Sequence, residues 1–182
     1  MMAQFPVHVP FWLLTAAHVT RYDVTVVTFL ERVNAMKWIT RENANVDRVA
    51  CPWLIKRFVD VNAEFLYVPA ADVQAVAERE QAIPYDVPGA ELGHVDGRCS
   101  FESFLIKYDL GGDAALTALA TVVHAADVEG DVDRSPLGPG LKAIARGFKD
   151  LFGPDDQRKL AVESPVYDAL YLYFQGQSPA AS

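Results

Sequence analysis

Cysteine is scarce in this 182-residue chain, with only Cys51 and Cys99, too few for the disulfide frameworks that staple small secreted domains. Histidine is nearly as rare, at four. No stretch approaches the roughly twenty apolar residues needed to cross a bilayer. Residues 11–17, FWLLTAA, are apolar but few, and no Lys or Arg precedes them, so they lack the charged start of a secretory signal. Positive charge is also short: 16 Lys and Arg against 24 Asp and Glu leave a net charge of -8. That balance argues against a general grip on nucleic acid, which rests on clustered Lys and Arg. The glycine-rich phosphate loop, the G-x-S-x-G elbow and the H-E-x-x-H run are all missing, and their enzyme classes lose support. We expect a cytoplasmic protein with no direct nucleic-acid binding and no membrane insertion, for which a homo-oligomer is compatible with the sequence.

What is present suffices for one domain with a substantial core: 51% of residues are hydrophobic and 22% charged. Residues 1–35 read as an N-terminal extension, although their β-branched run at 24–29 suits an edge strand. From Met36 the pattern gives KWIT as a strand and then a helix from Arg48 to Asp60, capped by Asn45 or Asp47. Pro52 is expected in the first turn of that helix. AEFLYVP reads as a buried strand, AADVQAVAEREQ as a helix and AIPYDVPG as an extended piece broken by two prolines and a glycine. The second half is mainly helical. Ser100 is expected to cap one helix and Asp113 the next, Gly111 and Gly112 lie between them, and Pro165 is expected to divide the last helical stretch in two. Trp38, Trp53, Tyr167, Tyr171 and Tyr173 sit at strand or helix spacing and read as core. The fold class is α+β, a small N-terminal sheet with strand-helix alternation followed by helices, spanning residues 36–175 before a disordered tail at 176–182.

The few soft or borderline ligands are concentrated. GAELGHVDGRCSFESF carries His94, Cys99 and Glu102, and the helical VVHAAD carries His124 and Asp127 three positions apart on one face. A first-row divalent ion draws three or four ligands from imidazole, carboxylate and thiolate, so His94, His124, Asp127 and Glu102 form a candidate site for zinc or iron. The spacing H-x-x-D alone is common by chance, and a hydrogen-bonded surface is the plainer account. Cys51 and Cys99 both stand at expected helix starts, where the dipole favours a thiolate, and are candidate catalytic thiols; small buried hydrophobes are the plainer account. Arg48 and Lys56 are candidates for holding an oxyanion such as chromate or sulfate, since the Arg fork matches two oxygens. Against this, Asp47 can be a cap and Arg48 the partner of a carboxylate at the edge of the core.

The runs WITRENANVDRVACPWLIKRFVDVNAEFLYVP, IPYDVPGAELGHVDGRCSFESFLIKYDL, VVHAADVEG and VYDALYLYF together resemble the C-terminal domain of ChrB-type chromate resistance proteins. The likeness covers about Met36 to about Phe174, and its motifs fall on Asp47, Arg48, Cys51, Pro52, His94, Cys99, His124 and Asp127. It implies an accessory or sensing role beside a chromate efflux transporter, with chromate or another small oxyanion as partner. A metal- or thiol-dependent redox enzyme acting on chromate or its oxidative by-products is the alternative. Longer members of the family carry a further N-terminal domain linked to DNA binding. Only thirty-five residues precede Met36 here, so direct promoter control is not expected.

Overall fold

A computed structural model describes residues 35–177. The expected N-terminal extension, with its candidate strand, and the end of the expected tail lie outside the described residues. Three strands, β1 (Lys37–Arg41), β2 (Glu64–Val68) and β3 (Ile83–Pro84), alternate with helices α1 (Val46–Phe58) and α2 (Val73–Glu80). All pairings are parallel, in the order β2-β1-β3. Four more helices follow: α3 (Ser100–Lys107), α4 (Ala114–Asp127), α5 (Gly138–Phe152) and α6 (Asp156–Gln177). A small parallel sheet followed by helices is the α+β arrangement the pattern anticipates.

The central strand is covered on both faces, as parallel strands usually are. Trp38 joins the main core with Trp53, Phe101, Phe104, Leu116, Leu119 and Tyr167, while its neighbour Ile39 packs on the other face against Val73 and Ala77 of α2. Two adjacent residues thus serve two cores because successive side chains of a strand point to opposite faces. Tyr173 is the exception among the aromatics expected inside: it is exposed and meets only Phe174 in a ring contact, because Tyr167 and Tyr171, four residues apart, take the inner face of α6.

Two prolines behave differently from expectation. Because α1 begins at Val46, Pro52 falls inside the helix rather than in its first turn. Its missing N–H strands the carbonyl of Arg48, one turn earlier. The hydroxyl of Tyr67, on β2, donates to that carbonyl at 3.0 Å. Pro165 likewise leaves α6 unbroken. Leu160 and Glu163 before it and Tyr167 and Tyr171 after it are all buried, so packing along the whole helix outweighs the roughly 3 kcal/mol that an interior proline costs.

Contacts from α6 fix the start of α1. The buried Asp156 accepts the backbone N–H groups of Asn43 and Ala44 at 2.8 and 2.7 Å, and the Tyr167 hydroxyl donates to the carbonyl of Val46 at 3.3 Å. The buried Lys159 and Glu163 lie alongside on the same helix; burial is the largest influence on each, holding the lysine below its ordinary pKa and the glutamate above. The next residue along α1 is Asp47, so this scaffold fixes the position of that side chain.

Candidate functional site

The ends of the parallel strands open into a cleft of about 610 Å³ lined by Arg41, Asn45, Arg48, Asp86, Val87, Pro88, Gly89, His94 and Asp127. Ligands of parallel sheets gather beyond the carboxyl ends of their strands, where loops converge. Arg41 ends β1, Asp86 follows β3, Asp47 and Arg48 lie in the first turn of α1, and Asp127 is the last residue of α4. His94 is carried by the loop between β3 and α3. Gly93 before it packs so tightly that a Cβ there would sit 2.8 Å from the Val87 carbonyl oxygen and 3.1 Å from that of Ala90.

His94 Nε2 lies 3.4 Å from Asp47 Oδ2, 3.4 Å from Asp86 Oδ1 and 3.2 Å from Asp127 Oδ2. The Asp47 side chain is fully out of solvent, and its Oδ2 accepts the backbone N–H of Ser100 at 2.6 Å. The Ser100 hydroxyl donates to Asp86 Oδ1 at 3.0 Å. The other Asp86 oxygen takes Arg48 at 3.1 Å and Arg41 at 3.2 Å. Asp86 holds a left-handed backbone, with φ of 48°, which Asp tolerates better than most residues.

The electrostatics follow from crowding. Burial, then the nearby Asp127 carboxylate, pushes Asp47 up to about 7. Hydrogen bonding to Asp127, then to Asp47 and Asp86, raises His94 to about 12. Burial works to raise Asp86 too, but His94, Arg48, Ser100 and Arg41 outweigh it and hold that carboxyl below its usual range.

A second group forms around His124, which is completely buried. Its Nδ1 meets Glu102 Oε2 at 2.6 Å and its Nε2 meets Asp131 Oδ2 at 2.8 Å. The same Glu102 oxygen accepts the backbone N–H of Cys99 at 2.8 Å, part of a capping box that starts α3. The cap of that helix is therefore Cys99 rather than Ser100, whose N–H and hydroxyl are taken by Asp47 and Asp86. Among the described residues, ligand atoms of Asp47, Asp86 and His94 lie within 4.8 Å of one another, as do those of Cys99, Glu102 and His124.

The candidate residues thus divide. His94 and Asp127 meet in the cleft, while the buried His124 meets Glu102 and the partly exposed Asp131. The histidines share no carboxylate, although Cys99 and Ser100, adjacent in the chain, each contact one of the two groups. Both thiols are buried, and burial, helped by Asp47, raises Cys51 and Cys99 above the ordinary thiol value. That opposes the thiolate-favouring effect of a helix start. Arg48 pairs with Asp86, whereas Lys56 is exposed, with its ammonium 5.8 Å over the ring of Phe65 and away from the cleft lining. Asp86 and Asp131 escaped the sequence reading as site residues. A position just past a strand end is a signal that could have found Asp86; Asp131 offered none.

The family model described as ChrB, C-terminal domain matches residues 38–174. A protein of Cupriavidus metallidurans named Protein ChrB is 34% identical over 161 residues, an alignment that covers 87% of this chain and 45% of that protein. The chain spans about half the length of that curated relative. No solved structure matches it. With so much of its length matched by the family model, this chain belongs to the ChrB C-terminal domain family.

Proposed function

We propose that this chain acts in chromate resistance as an accessory or sensing protein, and that the cleft floored by His94 holds the metal ion or oxyanion to which it responds. The convergence of His94 with Asp47, Asp86 and Asp127 carries this reading. Side chains from α1, α4 and the loop after β3 meet there, and Ser100 ties in α3. A ligand that pulls on these groups changes the packing of three helices at once. Such coupling gives a sensor its output, provided the ligand binds one packing better than the other.

The test is chromate tolerance of a sensitive bacterial host that expresses the chain beside a chromate efflux transporter. Tolerance should rise with the intact chain and return to the transporter-only level with His94→Ala. Tolerance that ignores the chain would overturn the reading. Sustained loss of chromate in the presence of the purified chain and a supplied reductant would make it an enzyme instead.

A further inference from the structure

Resting on the cleft as the ligand pocket, we infer that its occupant is a divalent cation of the manganese, iron or zinc kind, bound by Asp47 Oδ2, Asp86 Oδ1 and His94 Nε2, with Asp127 Oδ2, 3.2 Å from Nε2, as the fourth donor the ion would draw in. Nothing in the family comparison assigns such a site. The donor set, three carboxylates and one imidazole, is the mixture these ions take.

The distances are long for hydrogen bonds and suit an ion. A ring nitrogen carries a single hydrogen, yet Nε2 faces three carboxylate oxygens at 3.2 to 3.4 Å. Each separation exceeds the roughly 2.7–2.9 Å of a charge-assisted hydrogen bond. Around a tetrahedral ion with bonds of about 2.1 Å, neighbouring donor atoms stand about 3.4 Å apart. The three gaps from Nε2 match that spacing, and the ligand atoms of Asp47, Asp86 and His94 lie within 4.8 Å of one another.

Independent features agree. Asp47 is buried, and its Oδ1 has no hydrogen-bond partner among the described residues, so a buried acceptor on this side chain is left unused. Asp127 is the final residue of α4, where the helix dipole opposes a negative charge.

The same features tell against direct oxyanion binding. Three carboxylates face the cavity, and the guanidinium groups of Arg41 and Arg48 are already placed on Asp86 Oδ2. Ser100, which contacts two of the four ligands, is a positioning residue rather than a ligand.

The chain should be stripped with a chelator and titrated by calorimetry with Mn²⁺ and, separately, with Zn²⁺, with metal content and thermal unfolding measured in parallel. We expect one ion per chain and a raised unfolding temperature. Asp127→Asn and His94→Ala should each weaken binding by more than tenfold while keeping the far-ultraviolet spectrum of the parent. Ser100→Ala should weaken it about tenfold, as loss of a supporting hydrogen bond does in metal sites. Failure of the intact chain to take up either ion, or uptake unchanged in both Asp127→Asn and His94→Ala, overturns the cation assignment. Chromate bound directly by the metal-free chain and lost with His94→Ala overturns it too, yet leaves the cleft as the ligand pocket. Cation binding without any effect of His94→Ala on chromate tolerance keeps the assignment and removes the chromate reading.

Discussion

His94 presents one ring nitrogen to three carboxylates and leaves 45% of its side chain in solvent; His124 presents both nitrogens to two carboxylates and is sealed from it. The short contacts at 2.6 and 2.8 Å in the buried group saturate that imidazole, and through Glu102 they bind α4 to the start of α3. The longer contacts in the cleft leave one imidazole shared among three carboxylates, with Arg41 and Arg48 placed on Asp86 alone. The difference separates a clamp, whose groups are already matched to each other, from the cluster we propose as a receptor. Histidine count and helix spacing treat the two alike.

The strongest way to break this comparison is His124→Ala. Removing the buried imidazole leaves a cavity and takes two hydrogen bonds from the joint between α3 and α4, and should lower the unfolding free energy by about 3 kcal/mol, as read by urea denaturation. Stability equal to that of the parent would end the clamp reading. His124→Gln, tested in the metal titration, should retain affinity within a few-fold; a loss as deep as that of His94→Ala would merge the two groups into one site.

Gly93→Ala probes the loop that aims His94. Because the added Cβ meets two backbone carbonyls, the loop has to shift, at roughly 1–3 kcal/mol, and ligand response should weaken with it. Unaltered stability and binding would show that the placement of His94 does not depend on this contact. A smaller effect, about 1 kcal/mol, is expected of Tyr67→Phe, which leaves the Arg48 carbonyl beside the cleft without its donor. Smallest, and of opposite sign, is Gly147→Ala in the middle of α5: no atom lies within 4 Å of the new Cβ, so the helix should gain about 0.5–1 kcal/mol. Thermal unfolding of the three variants side by side checks the ranking.

Much of the fold could be read from local pattern. Asp113 caps α4 as expected, accepting the N–H groups of Ala115 and Leu116 at 2.8 and 3.0 Å, and Phe101 and Phe104 of α3 enter the core. A cap acts over three residues, and a helical stripe repeats every three or four, so the relevant partners are close in sequence. The prolines were harder. Whether Pro52 or Pro165 ends a helix depends on Tyr67 donating from another strand and on a wall of buried side chains, neither of which is encoded beside the proline.

The site was legible in part, for the same reason. His94, Asp127, His124 and Glu102 stood out by residue type and scarcity. Their sorting into an open group and a sealed one, with Asp47 and Asp86 recruited to the first and Asp131 to the second, did not.

The sequence by itself determined that this chain forms a small sheet backed by helices, that Trp38, Trp53, Tyr167 and Tyr171 enter the core, and to which family it is similar, because propensity, hydrophobic period and short motifs act over a few neighbouring positions. Only the tertiary structure decided which carboxylate meets which imidazole. Those partners come from separate elements brought together by core packing, and an electrostatic interaction depends on distance and burial, which chain order does not specify.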